Sequence, residues 1–360
     1  LVGSEMCIRD RLEKRPGLLE GTSRLLLMPD LFNYYLCGAQ VSEYSIASTT
    51  QMLDARTKMW SKEVLESLGI PERILSGIVP CGTRLGFIKT GICQELGIEP
   101  MEVIAVAGHD TQSALAAVPA RDKDFIFISC GTWSLFGTEL DEPVINGLSE
   151  RLNITNEGGC QGKISFLKNI IGLWLIQESR RQWIREGKEY SFGHLEQMAA
   201  DAKPFKALID PDAPEFVPAG NIPERIRRYC RESGQRVPEN EAEIVRCIDE
   251  SLAFKYRMTL EEIKMCTGRE YPAIHMVGGG TQSGLLCQMT ANACHCPVIA
   301  GPVEATVLGN AAVQLLAAGE LRDLDQVRSV AGASAKVSIY EPKDTDQWEQ
   351  VYGQYKKMLE

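Results

Sequence analysis

No apolar run in this 360-residue sequence approaches the roughly 20 residues that a membrane-spanning helix requires. No basic stripe is present either, and the net charge is −10. That balance speaks against nucleic acid as the main partner, because a phosphate backbone calls for clustered Lys and Arg. The twelve cysteines form no CxxC and no framework spacing. Their tightest group, Cys294-His295-Cys296, lacks the further ligands that zinc needs. Cys230 and Cys247 could meet in space, but spacing alone does not make a bridge. Idle or buried thiols of a reducing cytoplasm are the plainer reading. Neither GxxxxGK[ST] nor GxGxxG occurs, which removes the two commonest phosphate-loop signatures. There is no fixed-period repeat and no low-complexity tract. The first ten residues, LVGSEMCIRD, open without Met and carry no signal-peptide pattern; they read as a scar joined to the protein near Arg11.

Three strand-to-loop junctions stand out. Ligands of open α/β sheets collect at the carboxyl ends of strands. Val103–Ala107 reads as a strand running into Gly108-His109-Asp110-Thr111 and a helix over 111–118. An acid there could serve as a general base, kept ionised by the helix N-terminus, or could simply cap that helix. Phe125–Ser129 is a second strand, and Cys130-Gly131-Thr132-Trp133 links it to a third over 134–138. The Gly-Thr turn could offer N–H groups and a hydroxyl to phosphate, or be a plain hairpin. Ala273–Val277 enters Gly278-Gly279-Gly280 and a helix from about Ser283. Three glycines there permit close backbone approach to a nucleotide, with the helix N-terminus facing it.

Elsewhere, helices are expected over 24–36, 60–68, 167–183, 305–318 and 346–359, with 42–53 as a loop and short strand. The strongest helix spans 241–266: Ile244, Ile248, Leu252, Tyr256, Leu260 and Ile263 recur at helical spacing between an Asn240 cap and a Gly268 stop. Its acidic residues read as a solvated face. Strands alternating with helices make the chain α/β, and length allows about two domains.

At these residues the chain resembles the FGGY family of carbohydrate kinases. The likeness is carried by MPDLFNYYLCG (28–38), EYSIASTTQMLDARTKMW (43–60), AGHDTQSA (107–114), ISCGTWSLFGTE (128–139), NEGGCQGKISFLKNIIGLWLIQE (156–178), VGGGTQSGLLCQMTANA (277–293) and AGPVEATVLGNAAVQL (300–315). GHDT and LKNIIGLWLIQ tilt it toward the branch acting on L-rhamnulose rather than xylulose, glycerol or gluconate. The resemblance implies an actin-like ATPase fold of two RNase H-like domains hinged around a cleft. The sugar-binding domain would be 11–119, incomplete at its start, the nucleotide-binding domain 120–327, and a tail 328–360. It implies Asp110 as general base, with His109, Thr111 and Asn169 at the sugar. Gly131, Thr132, Gln177 and Gly278–Gly280 would bind ATP. Mg²⁺ would accompany the nucleotide, with ligands unassigned. Family members begin with a strand and a Gly-rich, Asp-containing turn that nothing here matches, so the chain as written is expected to lack turnover. Another FGGY sugar kinase, for xylulose or fuculose, or a fragment that only binds nucleotide or sugar, stays open.

Overall fold

The computed structural model describes residues 10, 13–15 and 17–359. The expected scar at 1–10 therefore lies, Asp10 apart, outside the described residues. By packing, the chain divides into two units with interleaved segments, where the sequence suggested continuous ones. The first holds residues up to Ala117 with Glu139–Phe166 and Ala305–Ala331. The second holds Val118–Thr138, Leu167–Glu304 and Gly332–Glu360.

In the first unit, short strand pairs carry the Asp110 junction. Val41–Glu43 runs parallel to Gly77–Val79, and Thr83–Phe87 antiparallel to Glu102–Ala105. The helix Met28–Cys37 starts on Pro29, whose fixed φ and missing N–H suit a first turn. It stops at Gly38, at φ +85°. It is shorter than the expected 24–36 span at its start: Leu27 is already extended, because Pro29 has no N–H to bond the carbonyl four residues back and its ring would clash there. Tyr44–Ser48 is a helical turn where a loop was expected. The Glu43 carboxylate caps it by accepting from Ser45 N and Ile46 N, an effect that simple periodicity cannot reveal. Met52, Leu65, Ile70, Ile74 and Leu75 form one small core. Ala107, Ala116, Cys160, Val313 and Val327 belong to another. The helices Asp110–Ala116 and Ala305–Ala318 pack face to face, with Gly309 at the contact. A Cβ on Gly309 would lie 1.7 Å from the Ser113 carbonyl oxygen, so only glycine lets these backbones approach.

Four neighbouring strands lie wholly in the second unit, in the order Ser338–Tyr340, Val298–Ala300, Ile274–Val277, Ile126–Cys130. Ile274–Val277 is parallel to both Val298–Ala300 and Ile126–Cys130, with Val277 beside Ser129. Their carboxyl ends therefore emerge together. The expected helix over 167–183 is instead a strand to Ile171 and a helix Trp174–Arg185. The run Leu167-Lys168-Asn169-Ile170-Ile171 has β-branched residues that suit the pleat. Gly172 then packs so closely that a Cβ would sit 2.5 Å from Ser134 Oγ.

The long helix spans Glu241–Thr267, with Asn240 Oδ1 accepting from Glu243 N at 3.0 Å and Gly268 left-handed at its end. Its acidic residues are not a solvated face: Asp249, Glu250 and Glu262 are buried. The helix is packed by Phe192–Asp201 on one flank and Gly284–Cys294 on another, so charge recurs where a one-sided helix would have none. Glu250 takes Arg246 Nε at 2.7 Å and Phe205 N at 2.9 Å. Lys255 meets Asp210 and Asp212 at 2.9 and 3.0 Å. The final helix, Thr345–Leu359, docks through Trp348, Tyr352 and Tyr355, whose rings lie 5.0, 6.0 and 5.4 Å from that of Phe254.

Candidate active site

Asp110 is the first residue of its helix rather than the cap; His109 holds the extended cap position. The Asp110 carboxylate accepts from Thr111 N at 2.8 Å, yet its side chain remains 80% exposed. Buried polar groups hold the backbone behind it. Glu43 Oε2 accepts from Gly108 N at 2.8 Å and Ser45 Oγ accepts from His109 N at 3.1 Å. Asp30 in turn accepts from Glu43 N at 3.1 Å. Gly108 has little room for a side chain, since a Cβ would lie 3.1 Å from Ile46 and 3.3 Å from Glu43. Burial pushes Asp30 up to about 7, helped by the charge of Glu43. It also raises Glu43, against the four hydrogen bonds that favour its charged form.

His109 lies between two acids. Its Nδ1 approaches Glu157 Oε2 to 3.3 Å and its Nε2 approaches Asp110 Oδ1 to 3.6 Å. Burial pulls the imidazole pKa down, but Glu157, then Asp110 and Glu43, outweigh it and hold it above the usual histidine range. Gln112 donates to Glu157 at 3.4 Å and accepts from Ser165 Oγ at 2.7 Å. Thr111 is buried beside them. Glu43, Ser45 and Glu157 were not singled out from the sequence. Glu43-Tyr44-Ser45 looked like loop, and no local pattern links it to a turn 65 residues on.

The second unit gathers another group. Thr132 Oγ1 donates to Gln177 Oε1 at 3.2 Å, and the turn is held to the next loop by Leu173 N to Gly131 O and Trp174 N to Thr132 O. The three glycines do different jobs. A Cβ on Gly278, at φ +87°, would lie 2.9 Å from the Cys130 oxygen, and one on Gly280 would lie 2.2 Å from Cys130 Sγ. These two are glycine because the neighbouring strand end is so near. Gly279 meets nothing within 4 Å and faces open space. It lines a cavity of about 420 Å³ together with Gly280, Gln177, Phe192, Glu196 and Asp249. Gly131, Thr132 and Gly278 do not line this cavity, and Asn169 is partly exposed on the strand Ile164–Ile171.

The helix N-terminus after the glycines was expected to face a nucleotide. Two of its first N–H groups are already used: Leu286 N donates to Ser283 Oγ at 3.2 Å and Leu285 N to Glu196 Oε1 at 2.8 Å. What the turn offers a ligand is the open flank of Gly279. Among the described residues no cluster of three or more His, Cys, Asp or Glu could hold a metal ion, and no helix is long and apolar enough to cross a membrane.

The first unit thus offers an exposed carboxylate at the head of a helix, and the second offers a cavity bordered by Gly279 where parallel strands end. The profile of the FGGY family of carbohydrate kinases, N-terminal domain, matches residues 11–117, and that of its C-terminal domain matches 126–318. The chain belongs to this family. Within it, the chain is 42% identical to a rhamnulokinase of Bacteroides thetaiotaomicron over 341 residues, covering 95% of this chain and 70% of that one. It is 40% identical to a rhamnulokinase of Enterococcus faecalis, covering 91% and 66%. The chain thus spans about two thirds of the length of the curated relatives it matches. Its fold is that of the actin-like ATPase kinases. A ligand-bound xylulose kinase from Lactobacillus acidophilus superposes with a TM-score of 0.76 at 18% identity, covering 99% of this chain and 71% of that one. A Plasmodium falciparum glycerol kinase with ADP gives 0.73 at 14%, covering 99% and 70%.

Proposed function

We propose that the protein transfers the γ-phosphoryl group of ATP to L-rhamnulose, giving ADP and L-rhamnulose 1-phosphate in the breakdown of L-rhamnose. The observation that carries this is the exposed Asp110 carboxylate on a backbone fixed from behind by Glu43 and Ser45. The sugar's identity is supported by the likeness to rhamnulokinases.

Asp110 accepts the proton of the sugar hydroxyl as its oxygen bonds to phosphorus, and the bond from phosphorus to the ADP oxygen breaks. General-base help of this kind is worth about 10²–10⁴-fold. His109, held by Glu157, and buried Thr111 shape the sugar side of that carboxylate, and Asn169 supplies a further sugar contact. Gly131, Thr132, Gln177 and Gly278–Gly280 receive the nucleotide, with Gly279 leaving the space it enters. Mg²⁺ arrives with ATP as part of the substrate, carried chiefly by its phosphates. The described cysteines are free thiols, which supports a cytoplasmic setting, and the acidic charge leaves nucleic acid out of the partner set.

A coupled assay for ADP release tests the reading across L-rhamnulose, L-fuculose, D-xylulose and glycerol. Any turnover is expected to be fastest on L-rhamnulose, and clear turnover would overturn the expectation that the chain as written lacks it. A faster rate with another of these would move the protein to that substrate. ADP binding without turnover on any of them would reduce it to a binding module.

A further inference from the structure

We propose that Asp249 anchors the base of the nucleotide: its carboxyl pairs with the 6-amino group and the adjacent ring nitrogen of adenine. This rests on the reading of Gly278–Gly280 as a nucleotide turn and extends it to a residue on a different element.

The cavity beside Gly279 is walled by Leu173, Ile176, Phe192 and Val245, and its polar lining includes two acids, Glu196 and Asp249, with no Lys or Arg. Apolar walls suit a flat ring, and no Lys or Arg is there to meet phosphate, so the base end of the nucleotide is what fits. Glu196 is committed to the protein, accepting from Leu285 N and Ser283 Oγ. Asp249 is not. It is only 2% exposed, and its Oδ1 has no hydrogen-bond partner among the described residues. A buried polar atom left without a partner costs about 1–3 kcal/mol, and the residue that carries this one lines the cavity, so a ligand there has a polar group to satisfy.

The protonation state agrees. Burial, with Glu196 and Glu250 adding to it and Arg246 opposing, pushes Asp249 up to about 8. Near neutral pH it is mostly a carboxylic acid, with one donor and one acceptor side by side. Adenine presents the complement: the 6-amino group donates and the neighbouring ring nitrogen accepts. Asn at 249 would offer the same pair, whereas Leu would fill the volume and offer neither.

The test is calorimetric titration of ADP and of purine riboside 5′-diphosphate, which lacks only the 6-amino group, into the wild-type chain, Asp249→Asn and Asp249→Leu. Wild type and Asp249→Asn should each favour ADP by about 3–10-fold, the worth of one hydrogen bond. In Asp249→Leu the preference should fall to near unity, with ADP weakened. Wild type binding both ligands equally would overturn the proposal, and does so whether or not the Leu variant folds. A Leu variant that keeps the preference would overturn it too. Loss of ADP only in Asp249→Asn would show that an anion is required, against the pairing of a neutral acid with adenine. No binding of either nucleotide by wild type would overturn the nucleotide site itself, whereas bound ADP with an unchanged ratio removes Asp249 alone.

Discussion

The two candidate sites are built by opposite means. Around Asp110 the backbone is held by side chains: Glu43 and Ser45 reach behind the turn and take its N–H groups, and Asp30 steadies Glu43. Around Gly279 the site is made by side chains that are missing, two glycines letting strand ends touch and a third leaving room. A charged reactive group needs a fixed, polar backing, because its position sets its reactivity. A nucleotide needs an opening that the backbone can border. The first kind of site should therefore fail when charge is changed, and the second when volume is added.

Asp110→Asn should give the largest effect, lowering turnover by about 10²–10⁴-fold in the coupled assay. Its melting temperature should stay near wild type, since the side chain is exposed. Equal loss of turnover and of fold would blur the contrast between the sites. Gly280→Ala forces a methyl onto Cys130 Sγ, where 2.2 Å is available, and should cost about 1–3 kcal/mol in urea unfolding. Gly279→Ala should cost far less, as its Cβ meets nothing. If the two were equally costly, the division of labour among the glycines would be wrong.

Glu43→Gln replaces a carboxylate that accepts from Ser45 N, Ile46 N and Gly108 N. One N–H is then left facing an amide NH₂, at about 1–3 kcal/mol. The remaining effects are in pH. Asp30 is raised in the folded state, so its stabilising contribution is complete below its unfolded value of 3.8 and is lost as pH rises through about 7. Unfolding at pH 5 and pH 8 should show a smaller difference in Asp30→Asn than in wild type. Glu157→Gln should lower the His109 titration followed by NMR, because the main partner that raises it is gone.

The contrast also explains what could be read from residues alone. The glycine turn was legible because Gly278-Gly279-Gly280 is written contiguously, and the long helix because Asn240, Gly268 and six apolar positions agree. The run at 167–171 misled because a buried strand and a buried helix share the same unbroken apolar pattern. Glu43, Glu157 and Asp249 were invisible for another reason. Glu43 and Glu157 meet their partners far along the chain, and Asp249, an acid in a helix, looks solvated until a second helix covers it.

Calorimetric titration of ADP into Asp110→Asn and Gly279→Val, beside turnover of each, tests the account most directly. Asp110→Asn should bind ADP as wild type does while barely turning over. Gly279→Val should stay folded and lose ADP, its side chain occupying the opening. Wild-type ADP affinity in Gly279→Val, or normal turnover in Asp110→Asn, would contradict the assignment of base and nucleotide turn.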